Sequence, residues 1–144
     1  MKEEIEQNYG IERKKEKEEV DLMSPLVWAY IGDGVYELFI RMHFVNHTKL
    51  NAHKLHIETV QYVKAKAQAE LLKKIQAELT EEEKEIVRRG RNAENHHLPK
   101  NTELADYRYA TAFEALIGYL YLTKQDARLT AVLRLAVGDS PFCP

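Results

Sequence analysis

The chain has 144 residues, 44% of them hydrophobic, and a formal charge of −2 at neutral pH. That length suits one compact domain burying roughly two-thirds of its unfolded surface, and it excludes a second core. The single cysteine, Cys143, excludes an internal disulfide, no apolar run reaches the ~20 residues of a membrane span, and the Lys/Glu-rich start has no signal segment, so a soluble cytoplasmic protein is expected.

Residues 1–20 mix Glu and Lys with few apolar side chains and read as a solvated arm or frayed helix. Ser24-Pro25 is a helix start, Ser as N-cap and Pro at the first helical position, and the helix runs to about Phe44. A second helix begins near Asn51, with Leu55, Val60, Val63, Ala67, Leu71 and Ile75 at helical spacing. Thr80-Glu81-Glu82-Glu83 is a capping box that opens a third helix, and Gly90 is its expected end. A polar, partly basic connection over residues 90–101 leads into an apolar helix from about Thr102 to Thr123. A last helix runs from near Asp126 to near Gly138. No period-2 strand pattern interrupts these, so the expectation is an all-α domain over 21–138 with a short tail at 139–144.

Two acids stand out against this background. Asp33 is the only charged residue between Leu22 and Tyr36, and Glu114 the only one between Tyr109 and Thr123. Each lies in a helix apolar almost all round and should be at least partly buried, which costs several kcal/mol unless something compensates. A shared cation, an ion pair with Arg41 or Arg108, or protonation would each do so. Gly32 and Gly34 beside Asp33, and Ala110, Thr111 and Gly118 around Glu114, let two helices approach closely and leave space for an ion with its waters. Carboxylates with retained waters suit Mg²⁺.

The segments around the two acids resemble the ribonuclease III catalytic domain. Ile31-Gly32-Asp33-Gly34-Val35 is similar to that family's Leu-Gly-Asp-Ala-Val signature, and Phe113-Glu114-Ala115-Leu116-Ile117-Gly118 to its Val-Glu-Ala-Leu-Ile-Gly segment. Trp28 to Asp33, Arg88 to Ala93 and Tyr107 to Glu114 look like the Mini-III branch, which lacks a double-stranded-RNA-binding domain. The resemblance spans about residues 20–137. It implies the ribonuclease III helical fold in a homodimer, with Asp33 and Glu114 as the catalytic and metal-ligating residues. It also implies Mg²⁺ as cofactor, with Mn²⁺ able to substitute, and cleavage of double-stranded RNA to 5′-phosphate and 3′-hydroxyl ends. The substrate implied is the 23S ribosomal RNA precursor, with a ribosomal protein or pre-ribosome as a further partner. The chain departs from the family at Leu26, Ala29 and Thr111, where other members carry additional acids, so fewer carboxylates are available for a second metal.

The net negative charge argues against a uniformly basic RNA-binding surface, so contacts must be local. Arg88, Arg89, Arg91, Asn92 and Lys100 cluster around one connection and are the candidate phosphate contacts. Lys64, Lys66, Lys73 and Lys74 read as solvated charge. His43, His47, His53 and His56 have metal-like spacing but no nearby cysteine, which disfavours zinc. The rival reading is a non-catalytic RNA-binding or ribosome-associated protein with the same fold.

Overall fold

The computed structural model describes residues 10–93 and 102–138. These form helices α1 (Lys17–Asp21), α2 (Pro25–His47), α3 (Ala52–Val63), α4 (Ala65–Ile75), α5 (Glu81–Asn92), α6 (Leu104–Leu122) and α7 (Asp126–Val137), with a 3₁₀ turn at Gln76–Glu78. No strand occurs among the described residues, as the all-α expectation requires.

The capping signals fold as written. Ser24 Oγ accepts from the Leu26 N–H at 3.2 Å, and Asn51 Oδ1 accepts from the Lys54 N–H at 3.0 Å. Thr80 Oγ1 takes the Glu83 N–H at 3.2 Å while Glu83 Oε1 takes the Thr80 N–H at 2.9 Å. These bonds satisfy amides that the first helical turn leaves without partners.

Helix α6 is the axis of the fold. From Ala110 to Leu120 every residue except Glu114 is buried, and α2, α4 and α5 pack around it. Tyr36, Ile40 and Phe44 of α2, Leu72 and Ile75 of α4, Phe113, Leu116, Ile117 and Leu120 of α6, and Val132 of α7 make the main core. Truncating any one of these large side chains to Ala would cost about 2–5 kcal/mol. A smaller cluster of Val20, Trp28, Ala29, Ile86, Ala115 and Tyr119 lies where α1, α2, α5 and α6 meet.

Two expectations need correction. The apolar stripe from Asn51 to Ile75 is two helices, not one, because Lys64 adopts an extended backbone (ψ 152°). The freed carbonyls are taken by side chains: Gln68 Nε2 donates to Val63 O at 2.9 Å and the Tyr36 hydroxyl to Tyr62 O at 3.4 Å. Gly90 does not end its helix, which continues to Asn92. Glycine is needed there for contact, since a Cβ would lie 2.9 Å from Ala112 Cα and from Ala115 Cβ. The described part of the N-terminal segment is exposed except at Arg13 and Val20 and ends in the short helix α1. Val20 is fully buried, and Arg13 donates to Asp126 Oδ1 at 2.6 Å and to Tyr121 O at 3.2 Å. Residues 1–9 and the tail at 139–144 lie outside the described residues.

Candidate active site

Asp33 and Glu114 meet because α2 and α6 touch backbone to backbone. A Cβ on Gly32 would fall on the carbonyl oxygen of Glu114, and a Cβ on Gly118 on the carbonyl oxygen of Trp28. Any side chain at either glycine would force the helices apart. Gly34 is different: nothing lies within 4 Å of where its Cβ would be. It leaves open space beside Asp33.

Glu114 is half-buried, whereas Asp33 is exposed, contrary to the expectation that both would be sheltered. The helical rotation explains this. Gly32 points at α6, and one residue further turns about 100° away from the contact line. Asp33 therefore stands at the rim of the crossing and Glu114 just inside it.

The electrostatics narrow the choices. Burial, followed by the hydrogen bond to Asp33 and its charge, pushes the Glu114 pKa up to about 9. Asp33 is the only charged group acting on Glu114 among the described residues. Arg41 is occupied by Glu37 at 2.9 Å, and Arg108 is exposed. Among the described residues Glu114 therefore faces Asp33 and no basic group, and a shared proton or a shared cation would offset the pair. The donor set fits Mg²⁺, which takes one or two carboxylates and fills its remaining positions with water and substrate oxygens. No group of three or more His, Cys, Asp or Glu ligands occurs among the described residues, so a closed protein cage is not built here. Ala29 and Thr111 add no carboxylate. Both are buried, and the Thr111 hydroxyl donates to Tyr107 O at 2.9 Å.

The basic cluster divides. Arg88 is exposed and grips Glu85 with two bonds of 2.6 and 2.8 Å. Arg89 stacks its guanidinium 4.5 Å above the centre of the Trp28 ring and donates to Asp21 O at 3.0 Å. Arg91 is half-buried and Asn92 exposed on the last turn of α5. Gly90 packs on Ala112 and Ala115, in the stretch of α6 that carries Glu114. Lys100, with His96 and His97, lies outside the described residues. Lys64 and Lys66 line a cavity with Thr102, Glu103 and Asp106, and Lys73 sits 5.0 Å over the Tyr109 ring. His43 is buried beside His47, and no group of three metal-ligating side chains forms around them among the described residues. Sequence reasoning did not link Asp21, Trp28 and Tyr119 to Arg89, a connection visible only when four helices are brought together.

A family model described as the ribonuclease III domain matches residues 26–125. The chain belongs to the ribonuclease III family. A Mini-ribonuclease 3 of Thermoanaerobacter sp. (strain X514) is 55% identical over 121 residues, covering 84% of this chain and 85% of that protein. A Mini-ribonuclease 3 of Staphylococcus aureus is 42% identical over 116 residues, covering 79% and 87%. The crystal structure of a Fusobacterium nucleatum protein superposes with a TM-score of 0.74 at 31% identity, covering 82% of this chain and 94% of that one. The ribonuclease III fold and the Mini-ribonuclease 3 relationship are thus established, and the chain is an endoribonuclease of that family. No helix among the described residues is long and apolar enough to cross a membrane.

Proposed function

We propose that the protein is a Mg²⁺-dependent endoribonuclease that cuts double-stranded RNA as a homodimer, in the cytoplasm, and matures the ends of the 23S ribosomal RNA precursor. The observation that carries this reading is the pairing of Asp33 with a half-buried Glu114 whose only charged neighbour among the described residues is that second acid. Two carboxylates pressed together against their mutual repulsion are relieved by a divalent cation. Mn²⁺ meets the same requirement, and a ribosomal protein or pre-ribosome is the expected further partner.

Asp33 and Glu114 hold the ion. When bound, it lowers the pKa of a water and offsets charge on the scissile phosphate. The protein's own contribution is position. The glycine crossing fixes the spacing of the carboxylates, and Gly34 keeps the approach to Asp33 open. Arg91, Asn92 and Lys100 present cations and donors to RNA phosphates, with Arg88 free to join them by releasing Glu85. A-form RNA is read by shape through phosphates and 2′-hydroxyls, so this small set suffices when doubled across a dimer.

The outer face of α2 supports the dimer. Val27, Tyr30, Leu38, Met42 and Val45 are all exposed, Tyr30 by 79% and Leu38 by 61%. They fall at helical spacing on one face of the helix that carries Asp33.

The deciding experiment incubates a precursor-stem RNA duplex with the protein, with and without Mg²⁺, beside Asp33→Asn. Cleavage that needs Mg²⁺ and disappears in the variant is the expected result. Binding without cleavage would instead establish a non-catalytic RNA-binding protein. A folded protein that neither binds nor cleaves would sink the proposal.

A further inference from the structure

We infer that Arg89 is a positioning residue for the two catalytic carboxylates, acting through Trp28, and not a contact to RNA. The inference rests on the proposed metal-holding role of Asp33 and Glu114.

Trp28 is fully buried five residues before Asp33, and its backbone carbonyl forms one wall of the glycine crossing, against Gly118. The placement of Trp28 therefore sets how closely α2 lies on α6. Three groups hold its ring. The indole Nε1–H donates to Val20 O at 2.8 Å. Tyr119 of α6 packs edge-on with centroids 5.1 Å apart. Arg89 of α5 covers the ring at 4.5 Å. The same guanidinium donates from its edge to Asp21 O at 3.0 Å, and Asp21 in turn accepts from the Tyr119 hydroxyl. Lys17 pairs with Asp21 at 3.3 Å and with Glu82 at 3.5 Å, which closes the clasp.

Arg89 thus touches α1 and α2 from α5, and its two contacts use different parts of one planar group. The face stacks while the edge donates. A lysine ammonium is a point charge on a flexible stem and cannot do both at once. Turning toward a phosphate would take the guanidinium off Trp28 and leave the Asp21 carbonyl without its donor. The clasp joins α2, which carries Asp33, to α6, which carries Glu114, and to α5, which carries Arg91 and Asn92. Loosening it lets the crossing open and the carboxylates separate, so the ion is held less tightly while the RNA surface persists.

The test compares Arg89→Gln, Arg89→Lys and Arg91→Ala in three measurements. RNA duplex binding is followed against salt without metal, each variant carried on Asp33→Asn so that nothing is cut. Cleavage is titrated with Mg²⁺ in the otherwise native chain. The rise in melting temperature on adding Mn²⁺ gives a metal readout independent of activity. For Arg89→Gln we expect the Mg²⁺ midpoint to rise about tenfold and the Mn²⁺ stabilisation to shrink, with KM for RNA and the salt slope unchanged. Arg89→Lys should fall between it and the native chain. Arg91→Ala should lower the log–log salt slope by about one unit with the Mg²⁺ midpoint unmoved. A slope lowered by about one unit in Arg89→Gln, at an unchanged Mg²⁺ midpoint, would make Arg89 a phosphate contact and overturn the inference. A lower melting temperature with both slope and midpoint unchanged would make it scaffold alone, and would overturn it equally. If Arg89→Gln fails to fold, the lysine variant is read against the same outcomes. A native chain that cuts without Mg²⁺ would defeat the proposed function itself, a result read before any Arg89 variant is considered.

Discussion

The two faces of α2 are almost equally apolar and have opposite fates. One carries Trp28, Gly32, Tyr36, Ile40 and Phe44 and is buried against α6, α3 and α5. The other carries Val27, Tyr30, Leu38, Met42 and Val45 and is exposed. Hydrophobicity does not separate them; shape does. The buried face has a glycine where α6 offers one in return, so the backbones close to contact. The outer face bears large side chains suited to interdigitate with another surface, the arrangement expected of a subunit contact. The candidate site lies at the boundary, with Asp33 one step past the glycine that makes the buried contact.

Breaking the buried face should have the largest effect. Gly118→Ala sets a methyl group on the Trp28 carbonyl, a clash with backbone that no rotamer relieves. A loss of about 3 kcal/mol or more is expected, read as a drop of at least ten degrees in melting temperature, together with loss of cleavage. A Gly118→Ala protein as stable as the native chain would mean that the crossing is not as close as described.

Breaking the outer face should change assembly and leave the fold intact. Leu38→Glu places a charge in the middle of the exposed stripe. Sedimentation should show a monomer with native helicity, and cleavage should fall at least tenfold because the duplex footprint is halved. An unchanged dimer would place the subunit contact elsewhere.

A smaller effect tests the carboxylate pair at the boundary. Because the Glu114 pKa is raised to about 9, the folded metal-free protein keeps a proton that the unfolded chain releases near the ordinary carboxyl range. Stability then falls as pH rises from about 4.5 toward 9. Glu114→Gln should remove that decline and, in EDTA at pH 8, melt higher than the native chain by the equivalent of roughly 1–2 kcal/mol once solvent screening is allowed for. At pH 4 the two should converge. Parallel pH profiles would show that Glu114 titrates normally.

The smallest effect has the opposite sign. Nothing lies within 4 Å of a Cβ at Gly34, so Gly34→Ala should stabilise the helix by up to about 1 kcal/mol. Differential scanning calorimetry can resolve that gain, and destabilisation instead would show that the open space beside Asp33 is occupied in solution.

The helix starts were legible in the sequence because they are local: Ser24, Asn51 and the Thr80–Glu83 box each satisfy amides within three residues of themselves. The two acids were legible because charge is scarce in their helices. The break at Lys64 was not, since it depends on Tyr36 and Gln68 reaching the freed carbonyls and has neither Gly nor Pro to mark it. Gly90 read as a helix end because glycine more often serves that role, and its contact with α6 is a property of two distant segments. The exposure of the arm was legible because it is mostly charged, whereas its docking through one valine and one arginine was not.

The sequence by itself therefore determined an all-helical domain, its caps, and the pair of acids that any account of the chemistry must explain. Only the tertiary structure decided that those acids face each other with no basic partner among the described residues, that Asp33 is the exposed member, and that Arg89 is engaged by Trp28 and Asp21. Caps and periodicity depend on residues a turn apart, which the chain order records. Close crossings and shared side chains depend on surfaces that meet only after the helices have packed.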